Sequence, residues 1–135
     1  MNDPKSLKLY IAVLDEVSDY MVPVLVAHAV LGAHMEFNVD SNRADYGTNT
    51  YPVYKDWLFS SFKKVVLRVN HKEFAKITAL PDIYLGHENT VLNGEKSCAV
   101  VCPRYELPNV LKFAKMWRPK LEVPTHEDYL TDKLA

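Results

Sequence analysis

LKLYIAVLDEVSDYMVPVLVAHAVLGAH, residues 7–34, is the stretch from which the fold is read. Residues 7–14 alternate and then turn continuously apolar, the pattern of a central strand. An acidic turn follows, carrying Asp15, Glu16 and Asp19. Ser18 or Asp19 can cap the next helix, and Pro23 suits its first turn. That helix is expected to run from about Val22 to Phe37. It is apolar nearly all round, whereas an ordinary surface helix carries one apolar stripe. Burial on more than one face is therefore expected, against a sheet and under a second layer.

Working outward, residues 38–50 are polar and turn-rich, and a loop of that length is often functional or mobile. Residues 51–61 read as a short helix anchored by Trp57 and Leu58, with Phe62 just beyond. Residues 62–69 form a second strand. Asn70 caps a short amphipathic helix with Phe74 and Ile77 inward. Residues 82–86 are a brief third strand, and Asn93-Gly94 marks a turn. Residues 97–102, SCAVVC, are a fourth and central strand ended by Pro103. Residues 106–117 read as a last helix, with Val110, Phe113, Ala114 and Trp117 on its inner face. The tail from Arg118 is charged and is expected to be loosely held. This order predicts a single α/β domain over residues 1–135, with its core at 7–117. Its architecture is a three-layer sandwich around a mixed four-stranded sheet.

Composition narrows the function classes. With 48% hydrophobic residues among 135, the chain can bury a core, which excludes disorder. The start, MNDPKSLK, has no apolar signal region, so a cytoplasmic protein is expected. Residues 20–35 are interrupted by His28 and His34 and too short to span a membrane, so no membrane is expected as a partner. Cys98 and Cys102 would lie roughly 13 Å apart on one side of a strand, too far for a disulfide. They read as reduced, buried thiols. No second ligand pair accompanies them, so no metal and no cofactor is expected.

The net charge of −1 is unevenly spread. Residues 9–54 hold one base, Arg43, against six acids. Residues 55–76 and 103–120 each carry a net charge of +4. If the fold joins the two basic segments they make one phosphate-facing patch, from Lys63, Lys64, Arg68, Lys72, Arg104, Lys112 and Lys115. The competing interpretation is ordinary solvated faces. Tyr46, Tyr51, Tyr54 and Trp57 could stack on bases or simply anchor the long loop.

From about Leu7 to Trp117 the chain resembles the type II peptidyl-tRNA hydrolases. Ala27-His28-Ala29 is similar to the family's helix motif. WLFSSFKKVVLRV resembles its second strand and the helix before it, and CAVVCPRYELPNVLKFAKMW resembles its closing strand, proline and helix. The likeness is to a shorter, catalytically divergent branch. It implies cleavage of the ester in peptidyl-tRNA, a carboxylic ester hydrolase reaction, or binding of peptidyl- or aminoacyl-tRNA.

The family's polar positions are replaced. Aligned on Ala27-His28-Ala29, its loop glycines fall on Ser18 and Tyr20, and its lysines on Asp19 and Met21. Its glutamine falls on Leu25. Its Asp-Ala-Gly step falls on Leu85-Gly86-His87, without the acid. Ester hydrolysis needs a base or water-orienting group and donors for the oxyanion. The substitutes present are His28, if it faces a cleft rather than the core, and His87 with Glu88 in the replacing loop. Asp15, Glu16 and Asp19 stand at the strand end where α/β folds place their sites, or complement the helix dipole. Three functions follow: the hydrolase; a non-catalytic module binding RNA or an unidentified protein; and a regulatory homodimer built on exposed apolar helix surface.

Overall fold

The computed structural model describes residues 2–38, 51–87 and 96–119. Five strands form one mixed sheet: β1 (Lys8–Leu14), β2 (Lys63–Val69), β3 (Ile83–His87), β4 (Lys96–Val101) and β5 (Lys115–Met116), in the order β3-β4-β1-β2-β5. β1 pairs parallel with β2 and antiparallel with β4, and β3 and β5 add antiparallel pairs at the two edges. The first, second and fourth strands are neighbours, with β1 between β4 and β2. The sheet has one strand more than expected.

Helices cover both faces: α1 (Val22–Phe37), α2 (Tyr51–Leu58), α3 (His71–Thr78) and α4 (Asn109–Lys112). Beyond its first residue β1 is buried throughout, as a central strand covered on both sides must be. Leu9, Ile11, Val13, Cys98 and Val100 pack with α1 and α2 in one cluster. Tyr10, Ala12, Ala99 and Val101 pack with Ile77 of α3 and Leu111 of α4 in the other. Trp57 and Tyr54 of α2 are buried, and the Trp57 indole donates to the Lys63 carbonyl at 2.7 Å. Asn70 caps α3 reciprocally with Glu73, each side chain bonding the other's backbone N–H.

The structure departs from expectation in two places. α1 is not buried all round. Val22, Leu25, Ala29, Ala33 and Phe37 form a single buried stripe, while Val24, Leu31 and Met35 are 49%, 65% and 76% exposed. No second layer of the described residues covers that outer side. By length and composition the 19 residues Asp19–Phe37 could cross a membrane, a test that a helix packed on a sheet also passes.

The second departure is at residues 106–117. Only Asn109–Lys112 are helical, and the chain then extends as β5. The open edge of β2 supplies the reason: its unpaired groups recruit Leu67↔Met116 and Arg68↔Lys115, and the Trp117 N–H bonds the Val66 carbonyl. Trp117 therefore lies on the α1 side of the sheet, Val110 and Ala114 on the α3 side, and Phe113 is exposed.

Helix α1 sits unusually close to β3. A Cβ on Gly86 would stand 2.6 Å from the Ala29 Cβ and 3.2 Å from its Cα. Ala29 of the Ala-His-Ala run is thus a packing residue, and Gly86 is its counterpart. Gly86→Val is expected to lower the unfolding free energy by about 1–3 kcal/mol through overpacking. Chemical denaturation would measure this, and an unchanged midpoint would show that α1 can lift off β3 at no cost.

Candidate functional site

β3 and β1 are both antiparallel to β4, so β1, β2 and β3 point the same way. Their carboxyl ends bring Asp15, Asn70 and the backbone of His87 to one edge of the sheet. Here the acidic turn meets Arg68. Its guanidinium reaches the carboxylates of Asp15 at 3.0 Å and Asp19 at 3.1 Å. It also donates to the Arg118 carbonyl at 2.6 Å and stacks 3.6 Å above the Trp117 ring. The Trp117 indole N–H donates to the same Asp19 oxygen at 3.0 Å. Glu16 contacts the exposed His71 at 2.8 Å. Asp15 and Asp19 are therefore the anionic partners of Arg68, not free acids at a helix start.

The hydrolytic candidates do not converge there. His28 lies on the exposed side of α1, next to the buried Ala29, and does not face the core. His87 ends β3 beside a register irregularity, paired with Lys96. Glu88 lies outside the described residues, as do the loop at 39–50 with Tyr46, the Asn93-Gly94 turn, the Tyr51 side chain and the tail from residue 120. At the positions where the resembling family is polar, Met21 and Leu25 are buried apolar side chains, and Leu85 packs into the cluster under α3. Asp19 is committed to Arg68 and Trp117.

The seven basic candidates scatter. Lys63 and Lys64 start β2 at the opposite edge, and Lys64 stands over the Phe62 and Trp57 rings. Desolvation there lowers its pKa from the ordinary lysine value. Arg104 donates to the Pro81 carbonyl at 2.7 Å, beyond the end of β4. Arg68 is engaged as described, and Lys115 is its cross-strand neighbour on β5. A continuous seven-residue patch is not formed.

Two of the seven do gather, together with residues that charge counting alone did not single out. Between α3 and α4 lies a groove of about 450 Å³ lined by Lys72, Glu73, Lys76, Asn109, Val110, Phe113 and Ala114. Phe113 is 74% exposed, and the Lys112 ammonium lies 5.9 Å from its ring. The Glu73 carboxylate accepts from the Asn70 N–H and keeps its charge, and Lys72, Lys76 and the adjacent Lys112 outnumber it, so the groove is net positive. The available sequence signal was the spacing Lys72-x-x-x-Lys76, which puts both lysines on one helix face. Phe113 was hidden by its apparent helical register with Trp117.

Tyr54 and Trp57 are buried and cannot stack on bases. Both cysteines are free and buried, and burial pushes each thiol up to about 12. Among the described residues no group of three or more His, Cys, Asp or Glu is arranged to hold a metal. No family model matches the chain, and no curated protein matches it.

Proposed function

We propose that this chain is a module of the type II peptidyl-tRNA-hydrolase-like plan that binds tRNA-like RNA through the α3–α4 groove and hydrolyses its ester poorly. The groove is the observation that carries this reading: Lys72 and Lys76 of α3, with Lys112 of α4, flank an exposed aromatic ring, the combination that grips a backbone and stacks a base. Supporting it are the strand-into-helix opening and the Ala27-His28-Ala29 helix seated on the sheet, both in keeping with the resemblance.

The test is tRNA binding followed across salt concentration. Three phosphate contacts, by Lys72, Lys76 and Lys112, would give a log–log slope of roughly −2 to −3. Lys72→Glu with Lys76→Glu is expected to weaken binding at least about tenfold and to flatten the slope by roughly 1.5–2. Phe113→Ala is expected to cost about 1–3 kcal/mol if a base stacks there. Lys63→Glu with Lys64→Glu should leave affinity nearly unchanged. Binding that survives the α3 double substitution with its salt slope intact would exclude the groove.

A further inference from the structure

The outward side of α1 has no solvated character. From Tyr20 to Met35 the chain contains no Asp, Glu, Lys or Arg. Val24, Leu31 and Met35 of α1 are exposed there, as is Tyr20 in the 3-10 turn that leads into it, with Ala27 and His28 between them. A helix face left to water normally carries charge. Beside it, Ala27, Leu31, His34, Trp57, Leu58 and Phe62 line an apolar groove of about 310 Å³.

The spacing of the stripe is symmetric. Val24 and Leu31 are equidistant from the point between Ala27 and His28, and so are Tyr20 and Met35. A two-fold axis through that point maps the stripe onto itself, which is the requirement for an isologous interface. We propose that a second copy of this chain covers this face, the two α1 helices packing antiparallel about an axis between Ala27 and His28. Val24 then meets the partner's Leu31, and Tyr20 meets the partner's Met35. The Ala27–His28 pair leaves the centre narrow enough for close approach.

Charge and area agree with this occupant. Antiparallel helices oppose their macrodipoles. At roughly 200 Å² for a whole aromatic side chain and about 100 Å² for an aliphatic one, the exposed parts of Tyr20, Val24, Leu31, Met35 and Phe62 present about 450 Å². A stable interface contributes about 800 Å² per partner, some three-fifths of it apolar, so the patch is of the right size. Lys64 is the one Lys or Arg among the residues lining that groove; helices that lie on membranes carry several such cations beside the apolar stripe, so a lipid surface fits less well.

Sedimentation of the full chain over a range of concentrations tests the proposal, and independently of RNA binding, since α1 and the α3–α4 groove lie on opposite faces of the sheet. A reversible dimer is expected, and Leu31→Glu should make it monomeric while leaving circular dichroism unchanged and removing the concentration dependence of the denaturation midpoint. His28→Cys should form an inter-copy disulfide under mild oxidation. Met35→Cys should not, because antiparallel packing separates the two copies of that position by about 22 Å along the axis. The buried native thiols would not compete. A monomer at every concentration, a dimer indifferent to Leu31→Glu, or self-crosslinking of Met35→Cys in preference to His28→Cys would each overturn the proposal. So would a monomer that floats with lipid vesicles.

Discussion

Incubated with purified peptidyl-tRNA, this protein is expected to release peptide at a rate close to that of the uncatalysed ester. Water attacking the ester needs a group to orient or deprotonate it, and the carbonyl oxygen needs hydrogen-bond donors as charge develops. The loss of one such donor typically costs about 10²–10³ in rate. Here the positions at which the resembling family is polar hold Met21, Leu25 and Leu85, all packed into the apolar clusters. Asp19 cannot stand in, because one of its oxygens takes both the Arg68 guanidinium and the Trp117 indole. His28 stands on the outer side of α1, away from that turn. His87, at the carboxyl edge, and Glu88, next in the chain, are the groups through which hydrolysis could still run. Robust turnover abolished by His87→Ala or Glu88→Gln would therefore overturn this expectation and identify a rewired hydrolase. Turnover indifferent to both, and to His28→Ala, would place the chemistry at residues not considered above.

Elements whose periodicity reported their own burial were legible in the sequence. β1 and β4 read as continuously apolar because both faces are covered, and α3 announced itself through Asn70 and Glu73. What sequence could not supply was the identity of the covering surface. The all-round apolarity of α1 was read as two buried faces, but its outer side is exposed in the single chain. Composition marks a face as unsuited to water without saying whether its own chain or another molecule covers it. The last segment failed for a different reason. Val110, Phe113, Ala114 and Trp117 have helical spacing, yet the open edge of β2 offers backbone partners that a local pattern cannot anticipate. The candidate site suffered in consequence. Charge counts found the two basic segments, but the sheet sends Lys63 and Lys64 to one edge and ties Arg68 into an ion cluster, leaving Lys72 and Lys112 to meet Lys76 and Phe113.

Arg68 separates a structural from an RNA-binding role, and replacing it is expected to produce a large loss of stability with no specific loss of RNA affinity. Its side chain is 14% exposed and lies between two carboxylates whose own exposures are 54% for Asp15 and 27% for Asp19. Asp15 can recover water when the cation is removed, so its share of the cost is small. Asp19 recovers less and keeps the Trp117 indole N–H, whose ring loses the guanidinium stacked on its face. Taking the cation from a partly buried carboxylate, together with lost stacking, puts Arg68→Met at about 3 kcal/mol, below the upper range for fully buried pairs. Arg68→Glu adds a third anion to the cluster and should approach about 5 kcal/mol. Arg68→Lys should fall between wild type and Arg68→Met, because a point charge on a flexible stem cannot bridge both carboxylates and stack on indole at once. Denaturation midpoints would rank the four proteins, and added salt should narrow the gap between Met and Glu at this position by screening the new repulsion. RNA binding, measured at low temperature on protein shown to be folded, should match wild type in Arg68→Met and fall in the variants of the α3–α4 groove. Equal stability of Arg68→Met and wild type would remove the ion cluster from the account of the fold. Folded Arg68→Met that no longer binds RNA would move the nucleic-acid surface from the α3–α4 groove to the carboxyl edge of the sheet.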